Sequence, residues 1–246
     1  AANITTISDF QDTNLSTIAL ADIWSNPNVQ ATGGGLLVID GAVFRNCFQG
    51  INASWKSQIN NAATHLRNIE FKTTQSLYYP FDMLTQTECG VCGTNVAENL
   101  LLYDTDFTNL KYGVRLNNFN QLTINPTFVA NGSNPPTNPP GNYSCTFTNC
   151  KVGVSARNIF NNTNNHLFVW GSLFQNCKVG IQLQGSAADI RNNLIDNQTS
   201  NFQNQDIGIF ALGSRFDIVD NAIEYTARGI VFTDAELAEI AQLSEL

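Results

Sequence analysis

The chain has 246 residues and a formal net charge of −8, with only 12 Lys and Arg. That balance disfavours nucleic acid and anionic membrane surfaces as partners, because both need clustered basic residues. No stretch approaches the roughly 20 apolar residues of a membrane span, so direct membrane insertion is not expected. Charged residues make up 13% of the chain while Asn contributes 33 residues. Its polarity comes from amides, which suit tight turns and stacked ladders.

In chain order, residues 1–35 read as an N-terminal entry or cap region. From there an apolar anchor and a glycine six residues later recur as Phe44/Gly50, Phe107/Gly113, Phe147/Gly153, Phe174/Gly180 and Ile223/Gly229. Ile or Val follows each glycine: Ile51, Val114, Val154, Ile181 and Ile230. A fixed phase at irregular long intervals predicts stacked coils rather than one compact core. Phe71 and Ile195 complete a set of seven anchors, so 36–234 is expected to form about seven coils. Two longer gaps hold insertions near 75–97 and 126–142, and the Pro pairs of the second rule out regular structure there.

Alternation assigns faces within a coil. Leu100/Leu102, Leu167/Val169, Ala188/Ile190 and Phe216/Ile218 are expected to point inward before their anchors. Gly41, Asn68, Asp104, Ser144, Gly171, Asn192 and Asp220 mark a turn. Asn46, Asn109, Asn149, Asn176 and Asn197 predict an amide ladder that tolerates left-handed backbone. The glycine is then expected to permit a second bend. Three short strands and three turns per coil describe an all-β parallel β-helix, a solenoid.

The fullest repeats read FRNCFQGI, FTNCKVGV and FQNCKVGI. This form resembles repeats in large secreted surface proteins of bacteria, and the fold resembles the right-handed, pectin-lyase-like parallel β-helices. The resemblance covers about 36–234 and implies a secreted or cell-surface location. It implies little about activity, since such folds host many functions.

The cysteines carry two readings each. Cys150 and Cys177 share a phase and are expected on adjacent coils, either as buried apolar residues or as a disulfide if their Cβ atoms approach about 3.8 Å. Cys89 and Cys92 lie in C-G-V-C inside the first insertion, where a local disulfide is the expectation for an exported chain.

No obvious cluster of catalytic residues appears, so no catalytic residue is assigned. Asp189 stacks over Asp217, and a bound Ca²⁺ would relieve their repulsion, as would solvation and Arg191; no other cofactor is expected. Outward positions before the anchors give His65/Arg67, Tyr103, Tyr143, Phe168/Trp170 and Asp189/Arg191. Such a stripe suits a sugar chain, because flat rings stack on sugar faces while polar groups fix orientation. Alternatively the insertions cover it. Residues 235–246 are Ala/Glu/Leu-rich and read as a C-terminal α-helix, capped at Thr233 or Asp234 and covering Phe210 and Val231, or as a linker.

Three functions follow as expectations. The first is a non-catalytic extracellular surface, adhesive or glycan-binding module whose partner is a polysaccharide or a surface protein. The second is a polysaccharide lyase or related enzyme using Arg67, His65, Arg115 or Arg191 as base or charge clamp. The third is a structural spacer.

Overall fold

A computed structural model of the chain describes residues 3–4, 17–19, 38–47, 49–53, 63–73, 89–125, 143–158, 166–198 and 206–233. Among these residues every regular element is a β-strand, and all strand pairing is parallel. The strands form a seven-stranded sheet and a fourteen-stranded sheet. Consecutive strands of the chain do not pair as hairpins. Each pairs instead with its equivalent one repeat away, which is the arrangement of a β-helix-like solenoid.

The seven-stranded sheet carries all seven anchors. Phe44 is in register with Phe71, Phe71 with Phe107, Phe107 with Phe147, and Phe147 with Phe174. Ile195 and Ile223 continue the column. The rings stack nearly parallel, with centroids 4.7 Å apart for Phe107–Phe147 and 4.6 Å for Phe147–Phe174. Burying each ring contributes about 2–3 kcal/mol before packing is counted. The larger sheet folds into two faces, because Cys89–Tyr103 and Tyr112–Ile124 each run through both. One face precedes the anchors and the other follows the glycines.

The inward assignments hold along the core. Leu100, Leu102, Leu167, Val169 and Ile190 are buried, as are Ile51, Val114, Val154 and Ile181. Phe216 and Ile218 pack against this core half-exposed, near the end of the stack.

The turns use left-handed backbone where Asn, Asp or Gly tolerates it. Asn68, Asp104, Gly171, Asn192 and Asp220 have φ of 51°, 42°, 53°, 54° and 54° at the first turn. Asn46, Asn109, Asn149 and Asn176 have φ of 52–56° at the second. Their amides link repeats: Asn176 Nδ2 donates to Asn149 Oδ1 at 3.3 Å, and Asn149 Nδ2 to Asn109 Oδ1 at 3.2 Å. Asn197 differs. It holds the backbone of Cys177 through both ends of its amide, at 3.0 and 2.9 Å.

Several expectations change. Cys89–Val96 lie within a strand rather than in the first insertion, with Val91 in register between Ile51 and Val114. Gly90 and Gly208 join the glycine column, although insertions separate them from Phe71 and Ile195. The column glycines do not have positive φ. They are needed because a Cβ on one would meet the carbonyl oxygen of the next, at 2.7 Å for Gly113 and 2.6 Å for Gly153. Phe210 is buried at 4% exposure and Val231 is half-buried, as residues under cover would be. The C-terminal helix expected over 235–246 lies outside the described residues.

Candidate functional site

The outward stripe lies on the face that precedes the anchors. His65 and Arg67 come from Ala63–Arg67, Tyr103 from Cys89–Tyr103, Phe168 and Trp170 from His166–Trp170, and Asp189 and Arg191 from Ala187–Arg191. Register aligns them side by side: Arg67 with Tyr103, Phe168 with Asp189, and Trp170 with Arg191. Parallel pairing puts successive rungs about 4.8 Å apart.

At one end, the His65 and Tyr103 rings stack with centroids 5.8 Å apart and planes 7° from parallel. The Arg67 guanidinium lies 6.0 Å from the Tyr103 centroid. Its Nε is 3.9 Å from Asp40 Oδ2, and Asn68 Nδ2 donates to Asp40 Oδ1 at 2.6 Å. Partial burial, and then the Arg67 charge, hold His65 below its ordinary pKa. Burial pushes the Tyr103 phenol up, against the opposing pull of Arg67. This end is therefore an imidazole and a phenol, both held neutral beside one exposed cation.

At the other end, Phe168 and Trp170 meet edge to face at 5.3 Å. Among the described residues the buried Trp170 Nε1 has no hydrogen-bond partner. Arg191 Nε donates to Asp189 Oδ1 at 2.5 Å, and that bond is the main reason the guanidinium pKa rises.

The structure corrects the middle rung. Tyr143 follows the second insertion and is not on a strand of this face. Its place between Tyr103 and Trp170 falls to the rung of Thr123 and Asn125, because Thr123 pairs with both Leu101 and Phe168. Thr123 is 1% exposed and Asn125 4%. The stripe is thus two half-exposed aromatic groups flanking a rung of smaller, buried polar residues. Counting backward from Phe147 across the insertion put the wrong residue there. Counting forward from Val114 would have found Thr123.

The metal and disulfide candidates separate as well. Asp189 is in register with Asp217, but Arg191 engages Asp189 directly. Among the described residues no group of three or more His, Cys, Asp or Glu is placed to hold a metal ion. Cys89 and Cys92 form a disulfide with Cα atoms 6.0 Å apart. The two cysteines are buried, in register with Tyr112 and Arg115 one rung away. Cys150 and Cys177 are not bridged: both are buried free thiols. In-register rungs about 4.8 Å apart exceed the roughly 3.8 Å Cβ separation a disulfide needs. Each Sγ instead faces a backbone carbonyl, Phe107 for Cys150 at 3.6 Å and Phe147 for Cys177 at 3.4 Å.

Comparison with family models, with curated proteins and with solved structures returns no match for the chain.

Proposed function

We propose that the chain is a non-catalytic extracellular module, a right-handed parallel β-helix of about seven coils that binds glycan chains along the Tyr103/Trp170 face. Right-handedness follows the general preference of parallel crossovers. The observation that carries the binding reading is the half-exposed stripe itself. Phe168 and Trp170 share one strand, and Tyr103 stands two rungs away, roughly 10 Å along the stack. Between them stands the rung of Thr123 and Asn125, both buried. Aromatic faces stack on the apolar faces of sugars. The cations of the stripe are engaged in holding it, Arg67 on Tyr103 and Arg191 on Asp189, which favours recognition over proton transfer.

The test is a glycan array with the wild-type chain and the Trp170→Ala variant, together with a lyase assay for unsaturated uronate. The expected result is a bound neutral or weakly acidic glycan whose affinity falls about tenfold or more in Trp170→Ala, with no lyase product. Binding to no member of the array would overturn the proposal. Appearance of unsaturated product would replace it with the enzyme reading.

A further inference from the structure

A second chemically loaded column lies at the corner between the seven-stranded sheet and the strands that follow the glycines, away from the aromatic stripe. Lys111, Lys151 and Lys178 each stand two residues before a column glycine, at Gly113, Gly153 and Gly180. Backbone hydrogen bonds stack them directly. Val152 N donates to Lys111 O at 2.8 Å, and Val179 N donates to Lys151 O at 3.0 Å. Ile207 N donates to Lys178 O at 2.8 Å, which puts Asp206 next in the column.

This arrangement is costly without a partner. Three lysines on successive rungs, whose backbones stand about 4.8 Å apart, repel one another. Lys178 is 3% exposed, and among the described residues its ammonium nitrogen has no hydrogen-bond partner. A buried unpaired ammonium is among the least favourable groups a fold can hold. Burial and then Lys151 disfavour the charged form of Lys178, against a smaller opposing pull from Asp206, with which it makes no ion pair. Lys151 is likewise disfavoured by burial and then by Lys111. Beside the Lys111 rung, the Lys111 ammonium lies 5.7 Å from the Tyr112 centroid and the Arg115 guanidinium 5.0 Å from the same ring. Positive charge is therefore concentrated here on a chain whose net charge is −8.

We propose that the Lys151–Lys178 step is an oxyanion site, taking a sulfate or phosphate group that bridges the two ammonium groups while Lys111 adds to the attracting field. Two ammonium groups on adjacent rungs can each donate to different oxygens of one tetrahedral anion, and charge-assisted bonds of this kind are the strong ones. Binding would satisfy Lys178 and offset the repulsion in a single event. The anion is either a free inorganic ion or an ester group on a larger polymer. This site is independent of the glycan-binding stripe and stands if that reading fails.

The experiment uses the full chain with inorganic sulfate, inorganic phosphate and a sulfated oligosaccharide, each against sodium chloride at matched ionic strength. Calorimetry gives affinity and thermal unfolding gives the midpoint. Wild type is expected to bind at least one of these probes and to melt higher in it than in chloride. Lys178→Met and Lys151→Met are expected to weaken binding about tenfold or more and to lose the midpoint rise, while Lys72→Met keeps both. Binding of the inorganic ions identifies a free-anion site, and binding of the oligosaccharide alone identifies an ester on a polymer. Absence of binding by all three probes overturns the proposal. So does an undiminished response in Lys151→Met, which keeps the test decisive if Lys178→Met fails to fold.

Discussion

Gly153 has no room for a methyl group. A Cβ there would lie 2.6 Å from Gly180 O and 2.6 Å from Phe174 Cδ1. Gly229, at the last described rung, would meet Ile223 Cγ2 at 4.0 Å. Gly153→Ala is therefore expected to lower unfolding free energy by about 1–3 kcal/mol through overpacking. Gly229→Ala should change it by about 0.5 kcal/mol or less. Urea denaturation of the two variants checks this, and equal losses would show that the glycines serve backbone conformation instead. The glycine column was legible as a sequence interval, but its reason was not. An interval along the chain does not reveal which atom of the next coil occupies the missing Cβ. The same limit applies to Cys150 and Cys177, whose shared phase was readable while the carbonyls of Phe107 and Phe147 that their thiols face were not.

At the scale of the element, the second turn is held by Asn149 in two ways. Its φ of 54° suits Asn or Gly, and its amide bonds to Asn109 on one side and Asn176 on the other. Asn149→Gly keeps the conformation and loses the amide bonds, at a cost of about 1–2 kcal/mol. Asn149→Ala adds left-handed strain of about 1–2 kcal/mol on top. The prediction is that Ala is the worse of the two, measured by thermal or urea unfolding; equal losses would mean the ladder bonds, and not the turn, dominate. The element scale is also where the stripe was misread. Within an uninterrupted coil, alternation placed His65, Arg67, Tyr103, Phe168 and Trp170 on one face correctly. An insertion between a strand and its anchor breaks the count, so Tyr143 was assigned where Thr123 and Asn125 stand.

Over the whole molecule, each repeat is supported only by its neighbours. Interior rungs are covered on both sides, whereas Arg228–Thr233 pairs only with Ile207–Leu212 among the described residues. Ile230 and Phe232 continue the columns of Ile209 and Ala211, yet they are 48% and 56% exposed. Hydrogen exchange should follow this gradient. Amides of Thr105–Thr108, Cys145–Thr148 and Ser172–Gln175 are expected to be the slowest, and those of Arg228–Thr233 the first to exchange. Uniform protection along the stack would contradict independent neighbour-by-neighbour support. The sequence alone determined the parallel repeat, the anchor column, the inward residues and two of the turn columns. These depend on alternation and on local conformational preference, both of which are written along the chain. The tertiary structure alone decided that Gly90 and Gly208 belong to the glycine column, that Asn125 stands between Tyr103 and Trp170, and that Asp206 follows Lys178 in the lysine column. Those facts depend on which residue lies one rung away, and insertions of varying length hide that from any count of positions.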